Sequence, residues 1–163
     1  MSHTCYISIG SNLTDRYINS KIAISKLESF IKILSISSFY ETEPWGYQDE
    51  NFYINCVLKG ETSINPVDLL FHLKKIEKEM GRIPDLSNRY HSRIIDLDIL
   101  FFDNIIINTD DLIIPHPKLY NRNYVLEPFF EINPDFKCPV RKKKISQILK
   151  ESKDTSRMCL YTH

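Results

Sequence analysis

Arg93-Ile94-Ile95-Asp96-Leu97-Asp98-Ile99-Leu100-Phe101-Phe102 is the stretch on which the reading of this chain turns. From Ile94 to Phe102 it is short and nearly all apolar, the pattern of a strand buried on both faces. Asp96 and Asp98 interrupt that pattern. Two residues apart in a strand, they point to the same face. Two carboxylates in so apolar a strand are costly unless paired or bound to a cation, and their mutual repulsion adds to the cost. A hard divalent cation relieves both, and magnesium commonly takes one or two carboxylates plus substrate phosphates. Asp-x-Asp alone is a weak signal, since a solvated strand end or bridges to arginines explain it at least as well. The surroundings add weight. Arg93 lies three residues earlier, Arg82 and Arg89 precede it, and His116 and Arg122 follow. Carboxylates for a metal beside guanidinium groups for phosphate are the parts phosphoryl transfer needs. Any one of these arginines could equally be surface charge.

Working outward, Asn65-Pro66 starts a helix, with Asn as cap and Pro in the first turn. Leu69, Leu70, Leu73, Ile76 and Met80 form its apolar stripe, and Gly81 stops it. Residues 82–93 read as a long loop. Upstream, Cys5–Ile9 alternates as a first strand ended by Gly10-Ser11-Asn12. Asp15–Leu34 carries Ile18, Ile22, Leu27, Ile31 and Leu34 at helical spacings, which predicts a first helix. Ile36–Thr42 and Phe52–Leu58 read as strands around a loop at Glu43–Asn51. Downstream, a short strand is expected at Ile105–Ile107, and helices at Tyr124–Ile132 and Lys144–Glu151. The order β-α-β-β-α-β is the ferredoxin-like pattern, an α+β fold with an antiparallel sheet. Helices on one face would leave the other free for a site.

From the 163 residues one domain over 1–163 is expected, without a second catalytic module. Twenty-one basic residues balance 21 acidic ones. That neutrality argues against a dedicated nucleic-acid or membrane-surface binder. Cys5, Cys56, Cys138 and Cys159 form no C-x-x-C pair, so reduced thiols in a cytoplasmic protein are expected. No apolar run reaches a membrane span, and the first residues lack a signal-peptide pattern.

A second cluster suits a flat organic ligand. Thr42, Tyr53 and Asn55 sit on the two strands around the Glu43–Asn51 loop, and Tyr53 and Asn55 share a face. Asn offers both donor and acceptor to a heterocycle, while Tyr53, Trp45 and Tyr124 offer stacking surface. Core packing accounts for the same aromatics, and Asn55 could simply satisfy a backbone group. Gly10-Ser11-Asn12 is neither GxGxxG nor a Walker loop and reads as a turn.

Taken in order, these segments resemble the 6-hydroxymethyl-7,8-dihydropterin pyrophosphokinases of folate biosynthesis, from Tyr6 to about Pro134. The most specific stretch is Arg93–Leu100. Gly10-Ser11-Asn12-Leu13, Ser38-Phe39-Tyr40-Glu41-Thr42, Tyr53-Ile54-Asn55, Ile114-Pro115-His116-Pro117, Arg122 and Val125-Leu126-Glu127-Pro128 support it. The resemblance implies that ATP donates its β,γ-diphosphate to the pterin hydroxymethyl group and AMP leaves. Asp96 and Asp98 would bind two Mg2+ ions. Arg82, Arg93, His116 and Arg122 would contact the triphosphate, with Arg82 and Arg93 catalytic alongside the aspartates. Ile99, Leu112 and Ile113 would line the adenine pocket, largely through backbone groups, with Glu77 nearby. Thr42, Tyr53, Asn55 and Tyr124 would hold the pterin, with Gly10, Pro44 and Trp45 close by. The loops 43–51 and 82–93 would close over both substrates and exclude water. A monomer is expected, with no nucleic-acid or membrane partner. The chain departs from the pattern at Pro84, where a second arginine is common, at Tyr90-His91-Ser92, where Trp-Gly-Pro is usual, and at Asp111. Tyr124 stands where a Phe commonly stacks on the pterin. Two other readings fit the fold class: a ferredoxin-like RNA-binding module using strand aromatics such as Tyr53, and a catalytically silent relative.

Overall fold

A computed structural model describes residues 1–44, 51–81 and 93–162. The first strand, β1 (His3–Ser11), runs through the middle of the sheet. Then come α1 (Arg16–Leu27), β2 (Lys32–Ile36), β3 (Tyr40–Thr42), β4 (Tyr53–Thr62), α2 (Pro66–Glu79) and β5 (Asp96–Phe102). A small hairpin follows, β6 (Ile107–Asn108) with β7 (Ile113–Ile114). The chain continues through α3 (Asn123–Ile132), α4 (Ile145–Glu151) and β8 (Met158–Leu160). The main sheet has the order β5-β1-β4-β3-β8, with β2 also on β4, and every pairing is antiparallel. Its core is the ferredoxin-like α+β arrangement that the order of elements predicts.

The inner strands pair as they do because alternate residues serve two different cores. Cys5, Ile7 and Ile9 of β1 pack with Cys56 and Leu58 of β4 under Ala23, Ile24 and Leu27 of α1 and Leu69, Leu73 and Ile76 of α2. Tyr6 and Val57 face the other way, into a cluster with Val125, Leu126 and Phe129 of α3 and Ile145 and Ile148 of α4. The expectation of helices on one face is therefore corrected. Helices cover both faces, and α3 with α4 covers only part of the second. The apolar residues Val125, Leu126 and Phe129 of α3 need a sheet surface to bury against, and Tyr6 and Phe101 supply it.

A bulge in β5 sets which residues face where. Tyr6 pairs with Phe101 while Ile7 pairs with Ile99, so Leu100 is the extra residue. Leu100 and Phe101 both join the second core, whereas Leu97, Ile99 and Phe102 join the first. Asp96 and Asp98 keep to the second face, beyond the edge of its apolar cover.

Several boundaries differ from those expected. The first helix ends at Leu27, not Leu34. Ile31 and Leu34 only mimic helical spacing: Ile31 is buried below the helix, and Leu34 is exposed on β2. The buried face of α1 is Ser20, Ala23, Ile24 and Leu27, which leaves Ile18 and Ile22 half-exposed. The strand expected over Ile36–Thr42 is broken at Ser37–Phe39. There Ser37 takes over the pairing, its N–H donating to the Val57 carbonyl and its hydroxyl accepting from the Val57 N–H, both at 2.9 Å. The helix from Pro66 is as read, capped by Asn65, whose side chain accepts from the Asp68 N–H. Gly81 follows it at φ +95°. The short strand lies at Ile107–Asn108 rather than Ile105–Ile107. β8 has no sequence signal, being three residues long and mostly exposed. No helix among the described residues is long and apolar enough to cross a membrane.

Candidate active site

Gly10 is the floor of an open cleft. It pairs with Asn55 on β4 to one side and with Asp96 on β5 to the other. Two strand spacings put those partners about 10 Å apart on one face. A Cβ at position 10 would come within 2.5 Å of the Asn55 Oδ1 and 3.4 Å of the Tyr53 ring, so only glycine keeps this lane clear. Ser8, Thr42, Glu43, Tyr53, Arg93, Asp98, Arg122 and Tyr124 complete the walls.

The acidic end holds Asp96, Asp98, Arg93, His116 and Arg122. Arg93 reaches the Asp96 Oδ1 at 3.3 Å. Burial lowers the affinity of the Arg93 guanidinium for its proton, but Asp96, Tyr53 and Asp98 more than offset this. Burial, then Asp96 and Glu77, push the Asp98 carboxyl up to about 7. Asp98 is thus held in a state that a nearby positive charge would relieve. His116 Nε2 lies 3.9 Å from the Asp98 Oδ1, and its Nδ1 accepts from the Lys118 N–H at 3.2 Å. That bond places the proton of the neutral ring on Nε2, facing the cleft. Burial and Arg122 lower the His116 pKa to about 4, so the ring is a neutral donor near pH 7. Arg122 is itself buried and lies with its Cζ 5.6 Å from the Tyr124 ring centre.

The other end is polar and flat. The Asn55 amide nitrogen donates to the Thr42 Oγ1 at 2.7 Å, which fixes the amide with its Oδ1 towards Gly10. Both residues are buried. The Tyr124 phenol is pushed up by burial, against the pull of Arg122.

Of the residues singled out from sequence, the cleft brings together Gly10, Thr42, Tyr53, Asn55, Arg93, Asp96, Asp98, Arg122 and Tyr124. His116 stands behind Asp98. Ile99 and Leu112 lie in the first core, on the opposite face of the sheet from the aspartates, and Ile113 is exposed on the small hairpin. None of the three puts its side chain into the cleft. Glu77 is buried on that same side, where its Oε2 accepts from the Leu97 N–H at 3.1 Å. Pro44 is half-buried beside Glu43 and is not among the lining residues. Trp45 and Arg82 lie outside the described residues, as do Pro84, Arg89, Tyr90, His91, Ser92 and most of both loops.

Three contributors were not anticipated, and one of them is Ser8 on the cleft wall. Glu43 lines the cleft. Asn12, read as part of a turn, is buried and grips Arg93: its Oδ1 accepts from the Arg93 N–H at 2.6 Å, and its own N–H donates to the Arg93 carbonyl at 3.0 Å. The stretch Gly10-Ser11-Asn12-Leu13 carried the family resemblance, but an Asn beside a strand end reads as a turn, and its grip on a residue 81 positions away has no local signal.

No group of three or more His, Cys, Asp or Glu side chains that could hold a metal occurs among the described residues. The donor set at Asp96 and Asp98 is two carboxylates, which suits a hard cation that takes its other ligands from water or phosphate.

An antiparallel α+β fold with paired carboxylates and guanidinium groups beside a flat polar slot has the parts of a group-transfer enzyme. The chain belongs to the 7,8-dihydro-6-hydroxymethylpterin-pyrophosphokinase (HPPK) family, whose model matches residues 6–134. It is a pyrophosphokinase of folate biosynthesis. It is 38% identical over 149 residues to the 2-amino-4-hydroxy-6-hydroxymethyldihydropteridine pyrophosphokinase of Aquifex aeolicus, covering 91% of this chain and 92% of that protein. It is 40% identical over 134 residues to the Bacillus subtilis protein of the same name, covering 81% and 79%. The folic acid synthesis protein FOL1 of Dictyostelium discoideum is 40% identical over 134 residues, but the chain spans only 20% of its length. The fold is shared with a crystal structure of Plasmodium falciparum HPPK-DHPS at a TM-score of 0.76 and 16% identity, over 93% of this chain and 45% of that one.

Proposed function

We propose that this cleft transfers the β,γ-diphosphate of ATP to the hydroxymethyl group of 6-hydroxymethyl-7,8-dihydropterin, releasing AMP, with Mg2+ held by Asp96 and Asp98. The observation that carries the reading is the pairing of Gly10 with Asn55 on one side and Asp96 on the other. It brings the Asn55 amide and the Asp96 and Asp98 carboxylates to one open face of the sheet, which supports a heterocycle bound at one end and phosphate at the other.

Bound Mg2+, two ions in this reading, would offset charge on the phosphate oxygens. The chain's own residues do the rest. Arg93 and Arg122 bind phosphate oxygens, and Arg93 exchanges its hold on Asp96 for the substrate. His116 donates from Nε2 to a phosphate oxygen, since its ring is neutral. Asn55, locked by Thr42, reads the pterin edge with its Oδ1. Tyr53 and Tyr124 bound the ring plane. Roles for Arg82 and Trp45 belong to the same proposal, as do Ile99, Leu112, Ile113 and Glu77 on the adenine side and Pro44 on the pterin side. For the first three, the backbone rather than the side chain would face the nucleotide. A monomer in the cytoplasm is proposed with it. All four cysteines are free thiols, which suits a compartment where cysteines stay reduced.

AMP formation from ATP, Mg2+ and the dihydropterin tests the activity, and folded protein giving no AMP overturns it. Asp98→Ala is expected to abolish Mg2+-dependent binding of a non-hydrolysable ATP analogue in calorimetry. Unchanged binding by folded Asp98→Ala would overturn the metal assignment.

A further inference from the structure

The last described residues, 152–162, follow the stretch matched by the family model, which ends at 134. They return to both walls of the cleft. On one wall, Asp154 Oδ2 accepts from the Asn123 N–H at 2.9 Å, and the Asp154 carbonyl accepts from the Asn123 Nδ2 at 3.1 Å. Asn123 is the first residue of α3, between Arg122 and Tyr124, and Arg122 supplies no side-chain cap of its own. The cap therefore arrives from 31 positions away in the chain. The Asp154 carboxylate is braced in turn by the Ser156 N–H, which donates to its Oδ1 at 2.9 Å.

On the other wall, Arg157 exchanges bonds with Glu43. The Arg157 N–H donates to the Glu43 Oε1 at 2.9 Å, and the Glu43 N–H donates to the Arg157 carbonyl at 3.2 Å. Met158 then pairs with Thr42, Cys159 with Glu41 and Leu160 with Tyr40. Thr42 is the residue that fixes the Asn55 amide. At the far end of α3, Glu131 already ties that helix to the β3 side through the Ser38 N–H and hydroxyl and the Tyr40 hydroxyl. Asp154 makes the corresponding tie at the cleft end, where small displacements reach Arg122 and Tyr124.

We propose that residues 154–160 form a strap that fixes the two walls of the cleft relative to each other, with Asp154 as the positioning residue. Asp154 acts through Asn123 on the direction of Arg122 and Tyr124, and β8 acts on Thr42 and Glu43. The consequence for catalysis rests on the pyrophosphokinase reading. The mechanical consequence does not.

Two measurements on full-length wild type, Asp154→Ala and Asp154→Asn separate these. Amide hydrogen exchange on substrate-free protein is expected to rise in Asp154→Ala at Asn123–Leu126 and also at Thr42–Glu43, with unchanged protection across β1 and the inner part of β4. A rise confined to Asn123, or none, overturns the strap. In steady-state AMP formation, Asp154→Ala is expected to lose about tenfold or more in kcat/KM through misplacement of binding groups. Asp154→Asn, which keeps an acceptor oxygen for the Asn123 N–H, should stay closer to wild type. Equal impairment of Ala and Asn variants with equally lowered melting temperatures overturns the positioning role. A wild type that forms no AMP overturns the pyrophosphokinase reading, while the exchange result still decides the strap.

Discussion

Asp98, one of the two carboxylates proposed to hold Mg2+, is the most perturbed acid of the cleft. Its carboxyl, pushed up to about 7 chiefly by burial and then by Asp96 and Glu77, binds a proton more tightly when folded than the usual Asp value near 3.8. Through this group the folded state gains a proton over the unfolded state between about pH 4 and pH 7, so the contribution of Asp98 to stability falls as pH rises through that window. Asp98→Asn removes this contribution. In chelator-treated protein, the urea midpoint of Asp98→Asn is expected to gain on wild type from pH 4 to 7, and the gain should level off above 7. A difference that does not change with pH would show that Asp98 is not so shifted. His116 contributes with the opposite sign between about pH 4 and 6.5, because its folded pKa is lowered. It is common to both proteins, so the comparison isolates Asp98 provided their spacing holds.

At the scale of elements, β1 does two jobs through alternate positions. Cys5, Ile7 and Ile9 anchor the first core, while Ser8 and Gly10 leave the opposite lane low enough for a ligand. Gly10→Ala would put a methyl group against the Asn55 Oδ1. The Asn55 amide must then turn and break its bond to Thr42. Pterin binding by calorimetry is expected to weaken by about tenfold or more, in line with losing a buried hydrogen-bonded group of roughly 1–3 kcal/mol. Nucleotide binding at the Asp96 end should change much less. Equal losses for both ligands would mean that the substitution disturbs the whole sheet. The helix α2 was legible because its cap, its proline and its stripe agree. The helix α1 was overextended because Ile31 and Leu34 continue a helical spacing by coincidence, and the chain turns at Ser29 and Phe30 instead.

At the scale of the molecule, the cleft lies on the same face of the sheet as the second core, which therefore matters more to its shape. Phe129 stacks on Tyr6 with ring centres 4.5 Å apart and meets Phe101 edge-on at 5.4 Å. Phe129→Ala is expected to cost roughly 3–5 kcal/mol of unfolding free energy in denaturant titrations. Because α3 carries Tyr124, the loss should also weaken pterin binding in protein that remains folded. The sequence by itself determined the β-α-β-β-α-β order of the core, the shared face of Asp96 and Asp98, and the cap of α2. These depend on spacing and on residues near in the chain. Only the tertiary structure decided that helices cover both faces, that Leu100 bulges, that Asn12 grips Arg93 and that Asp154 caps α3. Each of those joins groups that are remote in sequence or answers packing that no local pattern encodes. The aspartates could be read from one strand, but the walls of the cleft around them come from β1, β3, β4 and α3 folded together.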